Sequence, residues 1–233
     1  MARPPRKIAT GGLYHVLNRG NGRMALFHKP ADYDAFVGVL REGLGRYEVD
    51  LLAWCLMSNH WHLVLRPRRA DALAGLMRWV GVTHVRRHHE HHHTRGGGHL
   101  YQGRFKSFPI QDDHHFLVVC RYVEANPLRA KLVRRAENWR WSSLSRDDNP
   151  ARRLPVAAWP VRRPVDWVEA VNERLPEPQL GELRLSVVRG RPFGAVGWVR
   201  ETARTLGLTN TLRAPGRPPK PTPANGAGGS RNQ

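Results

Sequence analysis

The chain of 233 residues carries 38 lysines and arginines against 19 acidic residues, a formal net charge of +19. This excess argues against a metabolic enzyme for small neutral or cationic substrates and predicts a nucleic-acid partner, while 40% hydrophobic residues exclude a purely disordered basic chain. Two cysteines (Cys55 and Cys120) cannot form a disulfide framework, and no apolar run reaches the roughly 18 residues of a membrane span, so we expect a cytoplasmic, nucleoid-associated protein without membrane contact.

Apolar spacing over the first 146 residues predicts strands and helices in alternation. In chain order these elements are a strand over 13–17, a helix over 31–46, a hairpin of strands over 49–56 and 61–65, a helix from Asp71, a strand over 105–110, and a helix from Asp112 through Asn126 that Pro127 ends. This order favours an α+β fold in which helices pack on an antiparallel sheet.

The second predicted helix runs into a histidine-rich and glycine-rich segment, residues 86–98. We expect this segment to form a mobile basic loop that contacts nucleic acid, because the glycines at 96–98 offer no rigid support for a metal site. Metal chelation by its histidines is the alternative; they are His88, His89, His91, His92 and His93.

The chain changes character after residue 146. Residues 147–180 are rich in proline and arginine and predict a connector. Residues 181–213 predict a small helical DNA-binding accessory segment, with a helix over 196–206 that Gly207 ends. The composition of residues 214–233 predicts a disordered basic tail.

Two histidines alternate on the second strand of the predicted hairpin. His60 and His62 point to the same face, because side chains two apart on a strand share a face, and Trp61 points to the other. A neutral imidazole nitrogen is a good ligand for a divalent metal. The same spacing also occurs in surface histidines that bind no metal, so the pair alone leaves both interpretations open.

A tyrosine and an asparagine one helical turn apart form the second candidate group. Tyr122 and Asn126 lie together on the predicted helix, away from its apolar stripe. Because a tyrosine that fills a core belongs in the stripe, the pair could place a nucleophile and an amide oxygen over the two histidines. A hydrogen-bonded surface tyrosine is the alternative.

Several segments, in this order and at these spacings, resemble the single-tyrosine HUH transposases. This family includes compact insertion-sequence transposases and the bacterial transposases associated with repetitive extragenic palindromes (REP). The resemblance spans roughly residues 8–146. Its segments are Tyr14-His15-Val16 through Arg19-Gly20-Asn21, Ala53 through His62, Gln102 through Ser107, Arg121-Tyr122 with Asn126-Pro127, and Trp141-Ser142-Ser143.

The resemblance implies a ferredoxin-like catalytic domain over residues 1–146 that cuts and rejoins hairpin-bearing single-stranded DNA. It implies that Tyr122 attacks the scissile phosphate, leaving a 5′-phosphotyrosine and a free 3′-OH, and that His60, His62 and Asn126 hold Mg²⁺ or Mn²⁺. The chain departs from the commonest pattern at Trp61, where a smaller apolar residue is usual. Asn126 stands where shorter insertion-sequence enzymes carry glutamine, which favours the REP-associated branch.

Basic residues near these motifs are the predicted DNA contacts. Arg19 and Arg23 flank the turn after the first strand, Arg104 and Lys106 alternate on the predicted fourth strand, and Arg121 precedes the tyrosine. Such residues neutralise phosphates and position a protein on DNA without reading its sequence. An ordinary solvated turn is the alternative for the first two.

Two other functions remain open at this point. A domesticated, non-catalytic binder of single-stranded nucleic acid on the same scaffold would not need the histidines, Tyr122 and Asn126 together. A metal-dependent hydrolase with a water nucleophile would not need Tyr122. A covalent protein–DNA linkage separates the transposase from both. Both a monomer and a homodimer are compatible with the sequence.

Overall fold

Four antiparallel strands form the centre of the computed structural model, which describes residues 7–213. The strands are β1 (Leu13–Arg19), β2 (Val49–Met57), β3 (His60–Pro67) and β4 (Lys106–Ile110), with helix α1 (Pro30–Arg46) between β1 and β2 and helix α2 (Ala72–His91) between β3 and β4. The strand order is β2-β3-β1-β4, and every neighbouring pair is antiparallel. This β-α-β-β-α-β order confirms the predicted α+β, ferredoxin-like fold.

Alternation along the strands divides the sheet into two buried faces. The first face carries Val16, Trp61 and Leu63, and it packs against α1 and α2 in one apolar cluster. The second face carries His15, His60 and His62, together with apolar residues such as Val64. Helix α3 (His114–Glu124) covers this second face, and its residues join the second cluster.

The end of α3 differs from the prediction. The helix ends at Glu124 instead of continuing through Asn126, and a one-turn helix α4 (Asn126–Arg129) follows. Pro127 therefore lies in the first turn of a new helix, where its missing N–H is tolerated, and does not simply end the old one.

The prediction of a mobile loop over residues 86–98 is wrong for residues 86–91, because helix α2 continues to His91. The helix is held by burial of two histidines one turn apart, His84 and His88, which are 6% and 8% exposed. The ring of His84 packs against Phe27 and Phe36, with centroid separations of 5.7 and 4.6 Å. Histidines, which are polar residues, thus form part of the buried side of α2.

The C-terminal part of the described chain forms α5 (Trp167–Asn172), α6 (Glu177–Arg189) and α7 (Val196–Thr205). Helix α5 lies within residues 147–180, for which the sequence predicts a connector, and α7 lies within 181–213, for which it predicts a helical segment. Trp167, Val171 and Leu183 are buried in the second apolar cluster, so this region helps to cover the face under α3. The predicted helix over 196–206 is confirmed as α7, and Gly207 follows it with a φ of 69°.

Both outer strands of the sheet are covered by later parts of the chain. Phe193 forms a parallel bridge with Ile110 of β4, and Val156 forms one with Leu51 of β2. Covered edges cannot pair with another chain. The predicted disordered tail, 214–233, lies outside the described residues, and no helix within 7–213 is long and apolar enough to span a membrane.

Candidate active site

Three histidines form a row on the second face of the sheet, in which His15 and His62 are buried and His60 is half-buried. His60 and His62 are side by side on β3, with ring centroids 4.9 Å apart. His15 of β1 stacks on His62 at 4.9 Å, and its Nε2 lies 2.8 Å from Nδ1 of His62. The predicted histidine pair is therefore part of a triplet whose third member comes from the neighbouring strand.

Hydrogen bonds determine which ring nitrogen of each motif histidine is free for a ligand. Nδ1 of His60 lies 2.6 Å from Oδ1 of Asn59, which can only accept, so the histidine donates there and its Nε2 keeps a lone pair. Nδ1 of His62 is engaged by His15, which leaves Nε2 of His62 free of that bond. These bonds leave the two Nε2 atoms as the candidate ligand nitrogens, and that of His60 lies beside Asn126.

The three imidazoles are uncharged near neutral pH. Burial, followed by the charge of neighbouring His60, lowers the pKa of His15 to about 3. Burial and the nearby Arg19 guanidinium lower the pKa of His60 to about 4, against a hydrogen bond with Asn126 that acts in the opposite direction. Burial also holds the pKa of His62 well below its usual value. Neutral imidazoles are the form that binds a metal.

Helix α3 places Tyr122 over the histidine row. Its ring stands edge-on to His62, with centroids 5.8 Å apart and planes at 87°. The prediction that Tyr122 lies outside the buried side of the helix is wrong, since this residue is only 8% exposed. The reason is that α3 rests on a sheet face that carries histidines as well as apolar side chains, and the tyrosine faces the histidines.

Asn126 and Arg129 of α4 complete the group around the tyrosine. Asn126 contacts His60 through a side-chain hydrogen bond, so the three predicted ligand residues do converge. The guanidinium of Arg129 lies 3.9 Å from the centre of the Tyr122 ring and donates to Oδ1 of Asn126 at 3.1 Å. It also donates to the carbonyl oxygen of Tyr122. Arg129 thus holds both predicted functional side chains in place.

The predicted DNA contacts occupy different positions around this site. Arg19 pairs with His60 in the β1–β3 register, and Lys106 pairs with Leu17, so both lie at one end of the second face. Arg23 is exposed at the end of a short 3-10 helix (Asn21–Arg23). Arg104 is exposed in a bend, which corrects its placement on a strand, because β4 begins at Lys106.

Arg121 is less available than a free surface arginine. Its side chain is 18% exposed and forms an ion pair with Glu173 at 3.6 Å. The arginine therefore connects α3 to the segment after α5. Its role as a phosphate contact stays a prediction.

Sequence reasoning missed the parts played by His15, Asn59 and Arg129. His15 and Asn59 lie within the quoted motifs, but only the tertiary contacts show that each one orients a neighbouring histidine. Arg129 follows the Asn126-Pro127 motif by two residues, but it lies on α4, beyond the predicted end of the helix at Pro127, so no local period indicated its contact with the Tyr122 ring.

Comparisons with known proteins identify the family and agree with the fold. Residues 9–126 match the sequence profile of the family described as IS200-like transposases. A solved structure of a REP-associated tyrosine transposase bound to a REP hairpin is similar to this chain, with 17% identity and a TM-score of 0.50, over 71% of this chain and 99% of that one. At that identity the similarity speaks for the fold alone.

A second similar structure is a candidate transposase from Deinococcus radiodurans R1, with 19% identity, a TM-score of 0.36, and coverage of 53% of this chain and 96% of that one. A comparison with curated proteins found no match. The family profile covers just over half of the 233 residues and ends at Asn126, so it contains both histidines and the tyrosine. This chain therefore belongs to the IS200-like transposase family.

Proposed function

We propose that this transposase cleaves and rejoins single-stranded DNA that carries a hairpin, and that Tyr122 is its nucleophile. Family membership supports the reaction class. The hairpin substrate is supported by the similar structure, whose own ligand is a REP hairpin, and by the net charge of +19.

One observation carries the assignment of the nucleophile. Tyr122 stands edge-on to His62 although the two residues are far apart in sequence and on different elements. The ring contact alone would also suit packing, but it brings the only hydroxyl-bearing side chain of the motifs on α3 to the face that carries the two candidate ligands, His60 and His62.

The residues present fit a divalent metal of the kind the family uses. His60 and His62 each have Nδ1 engaged within the protein, and Asn126 adds an amide oxygen beside His60. We propose that these three side chains hold Mg²⁺ or Mn²⁺. When bound, the ion would neutralise charge that develops on the scissile phosphate.

The side chains of this chain account for the remaining steps. The Tyr122 oxygen forms a bond to phosphorus while the bond to the 3′ oxygen breaks; the tyrosine loses its proton and the departing 3′ oxygen gains one. Arg129 keeps the ring and Asn126 in register through its contacts with both. Rejoining reverses the exchange, because a phosphotyrosine ester retains the energy of the original phosphodiester.

The Tyr122→Phe variant tests this proposal, because it removes one oxygen and little volume. Wild-type protein mixed with a single strand labelled at its 3′ end should give an adduct that survives boiling in detergent. The variant should lose adduct and cleavage while it binds the same DNA with unchanged affinity. Tyr47→Phe, at a half-buried tyrosine that packs under Gly75 of α2, is the matched control and should retain both.

The outcome also separates the two rival functions. Cleavage without an adduct in the Phe variant would identify water as the nucleophile and favour the hydrolase. Binding without cleavage by the wild type, in Mg²⁺ or Mn²⁺, would favour the non-catalytic binder. Tyr101 is a poor substitute nucleophile, because its hydroxyl is buried on the other side of the sheet and bonded to Trp61 and His84.

A further inference from the structure

A second group of potential metal ligands lies on the side of the sheet that α1 and α2 cover. It joins Asp32, in the first turn of α1, to His91 and His92 at the end of α2. Nε2 of His92 is 3.7 Å from Oδ1 of Asp32, and Nε2 of His91 is 3.9 Å from the same oxygen. All three ligand atoms lie within 4.8 Å of one another.

The two oxygens of Asp32 have separate partners. Oδ2 accepts hydrogen bonds from the backbone N–H groups of His28 and Lys29, at 2.8 and 3.1 Å, and so caps the start of α1. Oδ1 is the oxygen that faces the two histidines. Asp32 is only 8% exposed, so this carboxylate is held in position by the helix start and aimed at the imidazoles.

A further histidine next to this group has no polar partner. His88 is 8% exposed, and neither of its buried ring nitrogens has a hydrogen-bond partner among the described residues. Its ring centroid lies 4.4 Å from that of His92, and the ring of His28 lies 5.3 Å from His92 on another side. Buried polar nitrogens without a partner are costly, which calls for a ligand at this place.

We propose that Asp32, His91 and His92 bind a Zn²⁺ ion, with His88 as the neighbouring imidazole that can complete the site. Two imidazoles and one carboxylate are a common ligand set for zinc, whereas Mg²⁺ prefers oxygen ligands alone. Zinc bonds of about 2.0–2.1 Å give ligand–ligand edges of about 3.3 Å in a tetrahedron. The separations from Oδ1 of Asp32, 3.7 and 3.9 Å, are about 0.5 Å wider than this edge, and all three ligand atoms lie within 4.8 Å of one another, so rotation of the two histidine side chains would close the site.

The ion would join the first turn of α1 to the last residues of α2, which are distant in sequence. This site is separate from the candidate active site, because α1 and α2 pack on the opposite face of the sheet from the His60 and His62 row. It also requires the helical form of residues 86–91, which the sequence alone did not indicate.

Zinc binding by the full chain tests the proposal. Metal-free protein should be titrated with Zn²⁺ against a chromophoric chelator, and with Co²⁺ while its visible absorption is recorded. His91→Ala and His92→Ala should each weaken one binding event at least ten-fold and remove the rise in melting temperature that Zn²⁺ causes. His91 is 58% exposed, so its truncation should leave the metal-free melting temperature unchanged.

Two variants distinguish this site from other zinc binding. His93→Ala changes the next, exposed histidine and should leave the affinity unaltered. His60→Ala disables only the candidate active site and should also retain this binding event. Equal losses in the His92 and His93 variants would show adventitious binding to a histidine-rich segment, and loss in the His60 variant alone would place the zinc in the active site. Either result would overturn the proposal.

Discussion

Each motif histidine uses one ring nitrogen inside the protein and presents the other to the site. For His62 the internal partner is itself a histidine, His15, where a carboxylate or carbonyl oxygen is more usual. His15 is completely buried, and its pKa of about 3 keeps it neutral, so its Nε2 can accept the proton of His62. With the bond in this direction, His62 has the tautomer whose Nε2 can bind a metal.

We therefore expect His15→Ala to weaken Mn²⁺ binding at the candidate active site by about 10- to 100-fold. His15→Gln should recover part of this loss, because its amide oxygen can replace the accepting nitrogen. The readouts are the Mn²⁺ dissociation constant and the Mn²⁺ concentration that gives half-maximal cleavage. A drop in stability with both values unchanged would show that His15 only packs.

At the scale of single elements, α2 is tied to the sheet through a chain of hydrogen bonds. Trp61 of β3 donates to the hydroxyl of Tyr101 at 3.0 Å, and that hydroxyl lies 2.6 Å from Nδ1 of His84 on α2. The hydroxyl accepts from the indole and still has its own hydrogen, so it can donate to Nδ1 of a neutral His84. The large side chain of Trp61 in the histidine motif thus takes part in the packing of α2 on the opposite face of the sheet.

This chain of bonds predicts a pH dependence of stability. Burial, and then neighbouring His88, lower the pKa of His84 to about 3, against about 6.5 in an unfolded chain. Between these values the unfolded state binds a proton at this histidine and the folded state does not, so His84 alone should lower the free energy of unfolding by about 1.4 kcal/mol for each unit that the pH drops.

The variant His84→Asn keeps an acceptor near the position of Nδ1 and removes the titration. In urea unfolding measured between about pH 4.5 and 6, it should reduce the slope of stability against pH by about 1.4 kcal/mol per unit. His99→Asn, at an exposed histidine, should leave the slope as it is. An unchanged slope in the His84 variant would refute the assignment.

The ends of β1 and β4 bring basic side chains to the same end of the sheet as the histidine row. Lys106 lies opposite Leu17, and Arg19 lies opposite His60. Lys106→Ala should weaken binding of single-stranded DNA of every sequence and reduce the slope of log affinity against log salt by about 0.7. Arg78→Ala, at an exposed position of α2 on the other side of the sheet, should leave that slope unchanged.

At the scale of the whole molecule, the region after residue 146 stabilises the helix that carries the tyrosine. Glu124, at the end of α3, is 1% exposed and accepts hydrogen bonds from Ser143 and from the indole of Trp167, at 2.6 and 2.7 Å. Burial raises the pKa of this carboxyl, and both hydrogen bonds counteract that rise. Ser143 and Trp167, from two later parts of the chain, therefore meet α3 at Glu124, which is two residues after Tyr122.

Trp167→Phe should keep most of the packing and remove one donor from the buried carboxyl. We expect a loss of about 1–3 kcal/mol in the free energy of unfolding, together with loss of cleavage at a lower temperature than in the wild type. Trp198→Phe, at a half-buried tryptophan of α7, should cost less. Urea unfolding and cleavage assays at rising temperature measure both effects.

The sequence by itself determined the elements with a clear local period and the spacing of the motif residues. Backbone geometry over a few residues places His60 and His62 on one face of a strand. The same kind of local geometry puts Tyr122 and Asn126 about one helical turn apart, although the structure divides them between α3 and α4. Strand and helix boundaries in the first half were predicted to within a few residues for the same reason.

Only the tertiary structure decided which of these residues meet. The bond from His15 to His62, the burial of Tyr122 against the histidines, and the approach of Asp32 to His91 and His92 join residues that are distant in the chain. Such contacts depend on strand register and on how helices pack over a face, and no local period records them. The histidine-rich segment shows the difference most clearly. Its composition favours a loop, yet α2 continues to His91, with His84 buried against Phe27 and Phe36 and His88 buried beside His92.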